Sequence, residues 1–455
     1  MKNQFNLVRA TLFSSKMVFI LLAICLSIKA NSQSFTANLD QYLDAHLRQG
    51  TFSGTVYITQ KGKPVYSKGF GMADYENGIA NGPNVKYRIG SVTKSFTAVL
   101  VMQLQEQGKL NVQDKVSKYL PDFPNGDKIM LHHLLSSTSG LPDFVNHWQG
   151  VNTKPATISD ILTLVKDKPL EFEPGTKWKY CSTGFIVLAG IIEKVTAKPY
   201  DQVLAKQILK PLKMKSTGME FSDPVVGLAL GYNHDGTDRK LAKPIDMSWC
   251  HAAGAVYSTP TDMAKFDAAL KGKKLLSEAS KNQMYTAVMK DYGYGWVIDS
   301  LGGHKRISHS GAINGFKANF LRFPDQDLTI TIFSNYESQQ VNGPISKDIQ
   351  AIVFGQKYEV PVVRTIVAMS AAQLARYTGE YQVAPKMSFT ISATGKQLYV
   401  EAPGQPKFEI FPEGEDKFFV KVAPALVTFE KDEHGNIARM YMHHGGKAMP
   451  ATRVN

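Results

Sequence analysis

The order of strand-like and helical segments constrains the fold more than any other feature of this 455-residue sequence. Two apolar runs with strand character lie near the start, and three more lie after residue 300. The five runs are Ser53–Thr59, Pro64–Gly71, Arg306–His309, Phe316–Phe323 and Leu328–Asn335. Helical segments broken by Pro and Gly fill most of the chain between them. This order predicts an α/β (α+β) domain in which one antiparallel sheet, built from both ends, is flanked by helices and a helical subdomain.

The pattern changes after Gly355, where the sequence indicates a second domain. Residues 356–372 are predicted to be mainly an extended linker. Beyond them, apolar residues alternate with polar ones and Gly-containing turns interrupt the alternation. The alternating pairs are Phe389/Ile391, Phe408/Ile410, Phe418/Val420 and Val427/Phe429. We therefore expect an all-β, barrel-like domain over residues 373–455, following a first domain over residues 33–355.

The N-terminus has the three-part layout of a secretory signal peptide. The first 32 residues contain four basic residues and no acidic ones: Lys2, Arg9, Lys16 and Lys29. The apolar run Met17–Ile28 is too short to span a bilayer, and the small residues Ala30-Asn31-Ser32 follow it. We predict that residues 1–32 are removed before Gln33 and that the protein is exported, to the periplasm or outside the cell.

Two membrane-anchored states are the alternatives to cleavage. One is that the apolar segment stays attached as an uncleaved anchor. The other is lipid attachment at Cys25, which the sequence does not favour because Ile24 occupies the position that needs a small residue. No later stretch is long and apolar enough to cross a membrane, so a mature chain without a stable span is expected.

The basic charge of the chain does not indicate nucleic-acid binding. Lys and Arg number 52 against 39 Asp and Glu, a formal net charge of +13, of which the predicted signal peptide contains four units. The remaining basic residues are scattered and form no recognition module. Three cysteines are too few for a disulfide scaffold at this length. The lipase elbow G-x-S-x-G, the zinc motif H-E-x-x-H and the P-loop are all absent from the sequence.

A serine and a lysine lie three residues apart in Ser91-Val92-Thr93-Lys94, at the start of a predicted helix. One helical turn places positions i and i+3 on the same face, so the lysine amine can reach the serine hydroxyl. A lysine shielded from water can activate a serine nucleophile, and a helix N-terminus favours the oxyanion of acyl transfer. The alternative for this motif alone is an N-cap serine beside a solvated lysine.

Two further motifs follow in the chain, Tyr180-Cys181-Ser182 and His309-Ser310-Gly311. With these three motifs in this order, the sequence resembles the serine β-lactamase and penicillin-binding-protein superfamily, in its class C-like branch. That branch includes class C β-lactamases, D-Ala-D-Ala carboxypeptidases, D-aminopeptidases and β-lactamase-type esterases. The resemblance covers roughly residues 35–355. It extends to the segments Arg88–Gly90, Leu131–Pro142 and Ala253–Thr259.

The resemblance implies a role for each motif residue. Ser91 is expected to be the nucleophile, Lys94 its activating neighbour, and Tyr180 the phenolic base that moves protons to and from the leaving group. His309 stands where many relatives have the lysine of a K-T-G motif, and histidine there is common among the esterase and peptidase relatives. Unperturbed Tyr and Lys side chains have pKa values near 10, so the resemblance implies that the group titrates as a unit.

The resemblance also implies an oxyanion hole formed by the backbone N–H groups of Ser91 and Ala312. Ser182, Ser310 and Gly311 are expected to contact the substrate. Ser182 departs from the usual Tyr-x-Asn motif, and a serine has one hydroxyl where an asparagine amide offers both a donor and an acceptor. The departure puts efficient β-lactam hydrolysis in doubt and leaves ester and peptide cleavage open.

These observations predict an exported serine hydrolase with a β-lactamase/transpeptidase-like fold and a lipocalin-like C-terminal β domain. It is expected to cleave an ester, amide or D-amino-acid peptide bond through an acyl-enzyme on Ser91. Its partners are expected to be small-molecule substrates, with cell-wall peptides among the candidates, and no metal or organic cofactor is required. The alternative is a non-hydrolytic protein of the same fold that binds or senses cell-wall peptides or β-lactams.

Two other residue pairs are candidates for metal binding or for a disulfide. His132 and His133 resemble a metal pair, but no carboxylate is spaced to join them, so a structural role is favoured. Cys181 and Cys250 lie beside the active-site segments. They are interpreted as two buried free thiols, with a disulfide as the alternative.

Overall fold

The computed structural model describes residues 35–148, 153–221, 224–235, 238–385, 387–405, 407–421 and 425–454. The predicted signal peptide, residues 1–32, lies outside the described residues. The helices are α1 (residues 35–48), α2 (Thr93–Glu106), α3 (Leu131–Leu135), α4 (Ile158–Thr163), α5 (Thr183–Thr196), α6 (Tyr200–Leu204), α7 (His251–Gly254), α8 (Pro260–Lys271), α9 (Glu278–Met284), α10 (Ser346–Val353) and α11 (Ala371–Ala375). No helix in these ranges combines the length and hydropathy of a membrane span.

The strands fall into a first region and a C-terminal barrel. The first region contains β1 (Gly54–Gln60), β2 (Lys63–Phe70), β3 (Met72–Asp74), β4 (Ile79–Ala80), β5 (Tyr87–Arg88), β6 (Gly218–Met219), β7 (Tyr232–Asp235), β8 (Asp238–Leu241), β9 (Val256–Ser258), β10 (Val297–Leu301), β11 (His304–Ile313), β12 (Phe316–Phe323) and β13 (Leu328–Ser334). The barrel contains β14 (Gly379–Ala384), β15 (Met387–Thr394), β16 (Gln397–Glu401), β17 (Phe408–Gly414), β18 (Lys417–Val420), β19 (Ala425–Lys431), β20 (Ile437–His444) and β21 (Lys447–Val454).

The main sheet has six antiparallel strands in the order β10-β11-β12-β13-β1-β2. Strand β1, near the start of the chain, pairs directly with β13, so that Gly54 lies opposite Ser334 and Gln60 opposite Leu328. The prediction of one sheet assembled from both ends of the domain is confirmed. The sequence prediction did not include β10, which pairs with the first half of β11.

The central strands are buried on both faces. Every residue of β12 and β13 is buried, including the polar or charged Lys317, Asn319 and Arg322 of β12, so polar residues within these strands do not mark an exposed face. On one face of the sheet, α8 packs against β1 and β13 within a core that also includes α2 and α5, and the other face packs against α1 and α10. Because side chains alternate along a strand, Phe320 packs into the core on the side of α8, and Leu321 packs into the core on the side of α1 and α10.

The two helices beside the catalytic motifs are largely buried. Helix α2 buries twelve of its fourteen residues, and α5 buries nine of fourteen. Each fully buried Leu, Ile, Val or Phe side chain contributes about 1.5–3 kcal/mol to the free energy of folding, compared with the same side chain left exposed. The predicted helix at Ser91 begins two residues later, at Thr93, because Gly90–Val92 forms a tighter 3-10 turn before it.

The C-terminal strands close into an antiparallel barrel in the order β14 to β21, with β14 pairing back to β21. Closure leaves no unpaired sheet edge. Inward-facing residues, including Tyr381, Phe418 and Met440, fill its core. The predicted all-β, barrel-like character of this region is confirmed. Residues 356–370 connect it to the first region without a helix or strand.

Candidate active site

Ser91 and Lys94 lie where the 3-10 turn joins α2. Lys94 Nζ donates to Ser91 Oγ at 3.0 Å and to the carbonyl oxygen of Ala253 at 2.8 Å. The Lys94 side chain is only 1% exposed, whereas Ser91 is partly open to solvent. Neither the turn nor α2 has a side-chain cap hydrogen bond. The alternative of a capping serine beside a solvated lysine is therefore wrong.

Two aromatic rings face the amine of Lys94. Its Nζ lies 4.9 Å from the centroid of the Tyr180 ring and 5.5 Å from that of Phe185. Tyr180 is half-buried and lies in the extended segment before α5, and Phe185 lies in the first turn of that helix. Among the described residues no carboxylate forms an ion pair with Lys94. The ring faces and two oxygen acceptors therefore replace an acidic partner.

His309 lies in β11 with both ring nitrogens engaged inside the protein. Its Nδ1 lies 2.7 Å from the carbonyl oxygen of Ser310, and its Nε2 lies 3.1 Å from the hydroxyl of Tyr292. A carbonyl oxygen only accepts, so Nδ1 bears the proton and Nε2 accepts from Tyr292. Burial, with the nearby charge of Lys94, lowers the pKa of His309 to about 3. The ring is therefore neutral at ordinary pH.

Two glycines let the serine turn and β11 approach more closely than other residues would allow. A Cβ added to Gly311 would lie 2.0 Å from the Ile89 carbonyl oxygen and 3.1 Å from Ser91 N. Gly90 has φ +50°, and its added Cβ would lie 2.9 Å from Ala312 N. The backbone nitrogens of Ser91 and Ala312 thus border the same narrow contact. A two-donor oxyanion site needs two backbone N–H groups on adjoining segments, and this contact brings the two segments together.

The predicted substrate-contacting residues lie on two elements, with Ser182 at the start of α5 and Ser310 and Gly311 on β11. Ser182 is buried at the start of α5, and its backbone N–H donates to Asp143 Oδ2 at 3.1 Å. Ser310 is exposed on β11. The carbonyl oxygen of Gly311 accepts from Asn342 Nδ2 at 3.0 Å.

Sequence reasoning missed three contributors to this site: Tyr292, Asn342 and the carbonyl of Ala253. Tyr292 is 2% exposed, and its ring contacts those of both Tyr180 and His309, with centroids 6.1 and 6.0 Å apart. The alternation of glycine and aromatic residues in Tyr292-Gly293-Tyr294-Gly295-Trp296 was the available signal, because such a loop packs backbone closely against rings. Neither Asn342 nor Ala253 has a comparable local signal.

The other sequence candidates have structural surroundings. His132 Nδ1 lies 2.6 Å from the Tyr294 hydroxyl, and His133 Nδ1 accepts the backbone N–H of Met130 at 3.2 Å. Within the described ranges, no three or more His, Cys, Asp or Glu side chains are grouped as metal ligands. Cys181 and Cys250 are buried free thiols, and burial raises the pKa of each to about 12. Neither is a reactive thiolate at neutral pH.

The antiparallel sheet, the helices beside it and the serine–lysine pair at the head of α2 define a family. The sequence model of the family described as Beta-lactamase matches residues 35–351, and the chain belongs to that family. The first region has the mixed α/β fold of β-lactamases and transpeptidases, as the sequence predicted. A second model, described as a domain of unknown function (DUF3471), matches residues 364–453, which include all the barrel strands but the last residue of β21.

Individual relatives agree with this assignment. A penicillin-binding protein of Bacillus subtilis (strain 168) is 31% identical over 411 residues, covering 84% of this chain and 91% of that protein. A teichoic acid D-alanine hydrolase of Staphylococcus aureus is 34% identical over 243 residues, covering 53% of this chain and 60% of that protein. The octameric penicillin-binding-protein homologue from Pyrococcus abyssi shares the fold, with a TM-score of 0.66 at 24% identity, covering 92% of this chain and 98% of that one.

Proposed function

We propose that this protein is an exported serine hydrolase that cleaves an ester, amide or D-amino-acid peptide bond through an acyl-enzyme on Ser91. The observation behind the proposal is the 3.0 Å contact between Ser91 Oγ and the buried amine of Lys94, in a chain of the β-lactamase family. Export rests on the N-terminal sequence. The domain limits proposed from sequence, 33–355 and 373–455 with a linker between them, are retained.

The proposed reaction has two acyl-transfer steps. Ser91 Oγ attacks the substrate carbonyl while its proton passes to Lys94, which takes part in this step as the unprotonated amine and lies within hydrogen-bond distance. The tetrahedral oxyanion accepts from the backbone N–H groups of Ser91 and Ala312. Tyr180, beside Lys94, delivers its phenolic proton to the leaving group as the carbonyl–leaving-group bond breaks, and the proton held by Lys94 restores the phenol. Water then attacks the acyl-enzyme, its proton returns through the same side chains, and Ser91 is released.

The residues around the nucleophile favour some acyl substrates over others. Ser182 has no amide to hold a substrate carbonyl, and neutral His309 offers no cation and no free ring donor. These features favour esters and small D-aminoacyl groups over β-lactams. A further support is the Staphylococcus aureus relative named a teichoic acid D-alanine hydrolase. A D-alanyl ester is therefore the first substrate to test.

The test is intact-mass spectrometry after treatment with a fluorophosphonate, followed by rate measurements. The wild-type chain and Ser159→Ala, an exposed-serine control, should each gain one adduct, and Ser91→Ala should gain none. Rates are then compared on a D-alanyl ester, a short-chain ester, a D-Ala-D-Ala peptide and a chromogenic cephalosporin. Full labelling of Ser91→Ala would contradict the mechanism. Labelling of Ser91 without turnover of any substrate would instead support the non-hydrolytic binding protein.

A further inference from the structure

A cavity of about 570 Å³ lies where α1, α10 and the linker meet the barrel. Its volume is within the range of sites for small organic ligands. Two hydrogen bonds join the surrounding elements. Gln340 Nε2, before α10, donates to the carbonyl oxygen of Lys421 at 2.9 Å, and Gln49 Nε2, after α1, donates to that of Val362 at 2.7 Å. The cavity is therefore bordered by parts of the chain that are held together, and it is open to solvent on one side.

This cavity is separate from both the proposed active site and the barrel interior. None of Ser91, Lys94, Tyr180 and His309 lines it. The inside of the barrel is filled by its own core, so the cavity lies against the outer end of the barrel. An occupant of this space is thus not the acyl substrate of Ser91, and nothing in the proposed reaction uses the cavity.

Most of the wall surface is apolar. The side chains with open surface for an apolar ligand body are Val360, Pro361 and Val362 of the linker and Leu426 of the barrel, whereas Phe419 and Val420 also line the cavity but are buried. Val362 is 67% exposed, although burying a valine side chain is normally favourable. An apolar occupant would cover surface that the fold by itself leaves open to water.

Charged groups are distributed unevenly around the cavity. Among the described residues that line it, the barrel contributes Lys421 and Lys447 and no carboxylate. Strand register brings these lysines to one end of the barrel, since Val420 lies opposite Ala425, Ala425 opposite His444 and His444 opposite Lys447.

The ammonium of Lys421 is half-buried, and no carboxylate in the described part of the chain forms an ion pair with it. It lies 4.0 Å from the centroid of the Phe411 ring, with Glu409 as the acid that acts on it electrostatically. The third cationic lining residue, Arg364, is occupied by a two-fold hydrogen bond to Glu413. A partly desolvated cation gains from an anionic partner more than a solvated one does.

The side of the cavity formed by α10 and the start of the linker contributes carboxylates. Asp348 of α10 and Glu359 of the linker line it, and Asp348 accepts a hydrogen bond from Tyr42 at 2.9 Å. An anion placed on that side would be repelled, so a ligand with two anionic ends does not fit the charge pattern. A single negative end directed toward the barrel does fit it.

We propose that this interdomain cavity binds an amphiphile with an apolar body and one carboxylate end, a fatty acid being the simplest member of the class. The carboxylate pairs with Lys421 and Lys447, and the hydrocarbon lies against Val360 and Val362 of the linker and Leu426 of the barrel. The proposal is independent of the reaction at Ser91.

The experiment is isothermal titration of dodecanoate, below its micelle concentration, into the full mature chain with Ser91→Ala, so that turnover plays no part. Three second substitutions are compared. Lys421→Met keeps the apolar stem but removes the charge, Ala448→Trp fills the cavity from an exposed lining position, and Lys396→Met is the control at an exposed barrel turn. Thermal unfolding verifies that each variant is folded.

Saturable binding that weakens at least about tenfold in Lys421→Met and is lost in Ala448→Trp is expected, with Lys396→Met unchanged. Dodecanol should bind more weakly than dodecanoate by a similar factor. The inference is overturned if dodecanoate does not bind, or if it binds Lys421→Met and Ala448→Trp as tightly as the parent. Equal affinity for dodecanol and dodecanoate overturns the carboxylate assignment. Because Ser91 is absent throughout, these outcomes are separate from those of the hydrolase test.

Discussion

Tyr292 donates a hydrogen bond to His309 Nε2 at 3.1 Å and thereby fixes the histidine as a neutral acceptor. The other ring nitrogen donates to the carbonyl of Ser310. Both groups are buried, and burial together with the neighbouring Tyr180 raises the pKa of Tyr292 well above its usual value. The position that holds a lysine in many relatives is therefore part of a neutral, internally satisfied pair in this chain.

Removing the Tyr292 hydroxyl should destabilise the fold. In Tyr292→Phe the buried Nε2 of His309 has no donor, which costs about 1–3 kcal/mol of unfolding free energy. Urea denaturation measures the change. Tyr441→Phe is the control, since that hydroxyl donates to Glu430 at an exposed site. A loss below about 0.5 kcal/mol, typical of a surface change, would show that the hydrogen bond is unimportant.

His309 should make stability depend on pH in the mildly acidic range. Its pKa is about 3 in the folded chain and near 6.5 when unfolded, so only the unfolded state gains a proton as the pH falls below 6.5. Stability is fully present above pH 6.5 and falls toward pH 3. Between pH 7 and pH 5, protonation of His309 in the unfolded state lowers the free energy of unfolding by about 2 kcal/mol.

Urea denaturation at pH 7 and pH 5 measures this dependence. In His309→Gln, the difference between the free energies of unfolding at pH 7 and pH 5 should be smaller by about 2 kcal/mol. His434→Gln, at a side chain that is 75% exposed, should leave this difference unchanged. Two other buried histidines, His46 and His251, have pKa values lowered to about 4 and add to the same trend in every variant. An unaltered pH dependence in His309→Gln would contradict the neutral assignment.

Lys94→Met should abolish most activity while retaining the fold. The substitution keeps an apolar stem in the buried site but removes the amine that contacts Ser91 Oγ. Loss of a positioned base lowers kcat by about 10²- to 10⁴-fold. Ester turnover and the rate of fluorophosphonate labelling report the effect, with the exposed Lys109→Met as the control. Labelling of Lys94→Met at the wild-type rate would exclude Lys94 as the activating group.

Gly311→Ala should disrupt the proposed oxyanion site. The new Cβ would lie 2.0 Å from the Ile89 carbonyl oxygen, so β11 and the serine turn must separate. Displacing one oxyanion donor lowers kcat by about 10²- to 10³-fold. Gly414→Ala, where an added Cβ meets nothing within 4 Å, is the matched control for kcat and melting temperature. If Gly311→Ala remained fully active, Ala312 N–H would not be part of the site.

Much of the architecture could be predicted because it depends on local periodicity. The strand-like patterns of β12 and β13 and the alternation of apolar and polar residues in the barrel indicate which segments form strands. The three-residue spacing of Ser91 and Lys94 indicates one helical turn. The strand β10 was not predicted, since its residues are only partly buried and show little apolar patterning. Its existence depends on pairing with β11.

The sequence by itself determined the order along the chain of five of the six strands of the main sheet, the presence of two differently patterned regions and the position of the serine–lysine motif. Only the tertiary structure decided the partners of that motif. Ala253 lies 159 residues from Lys94, and Asn342 lies 31 residues beyond Gly311. The neutral state of His309 likewise follows from burial and from Tyr292, and the interdomain cavity from packing of the linker against the barrel. Such contacts depend on how distant segments pack, which local residue patterns do not encode.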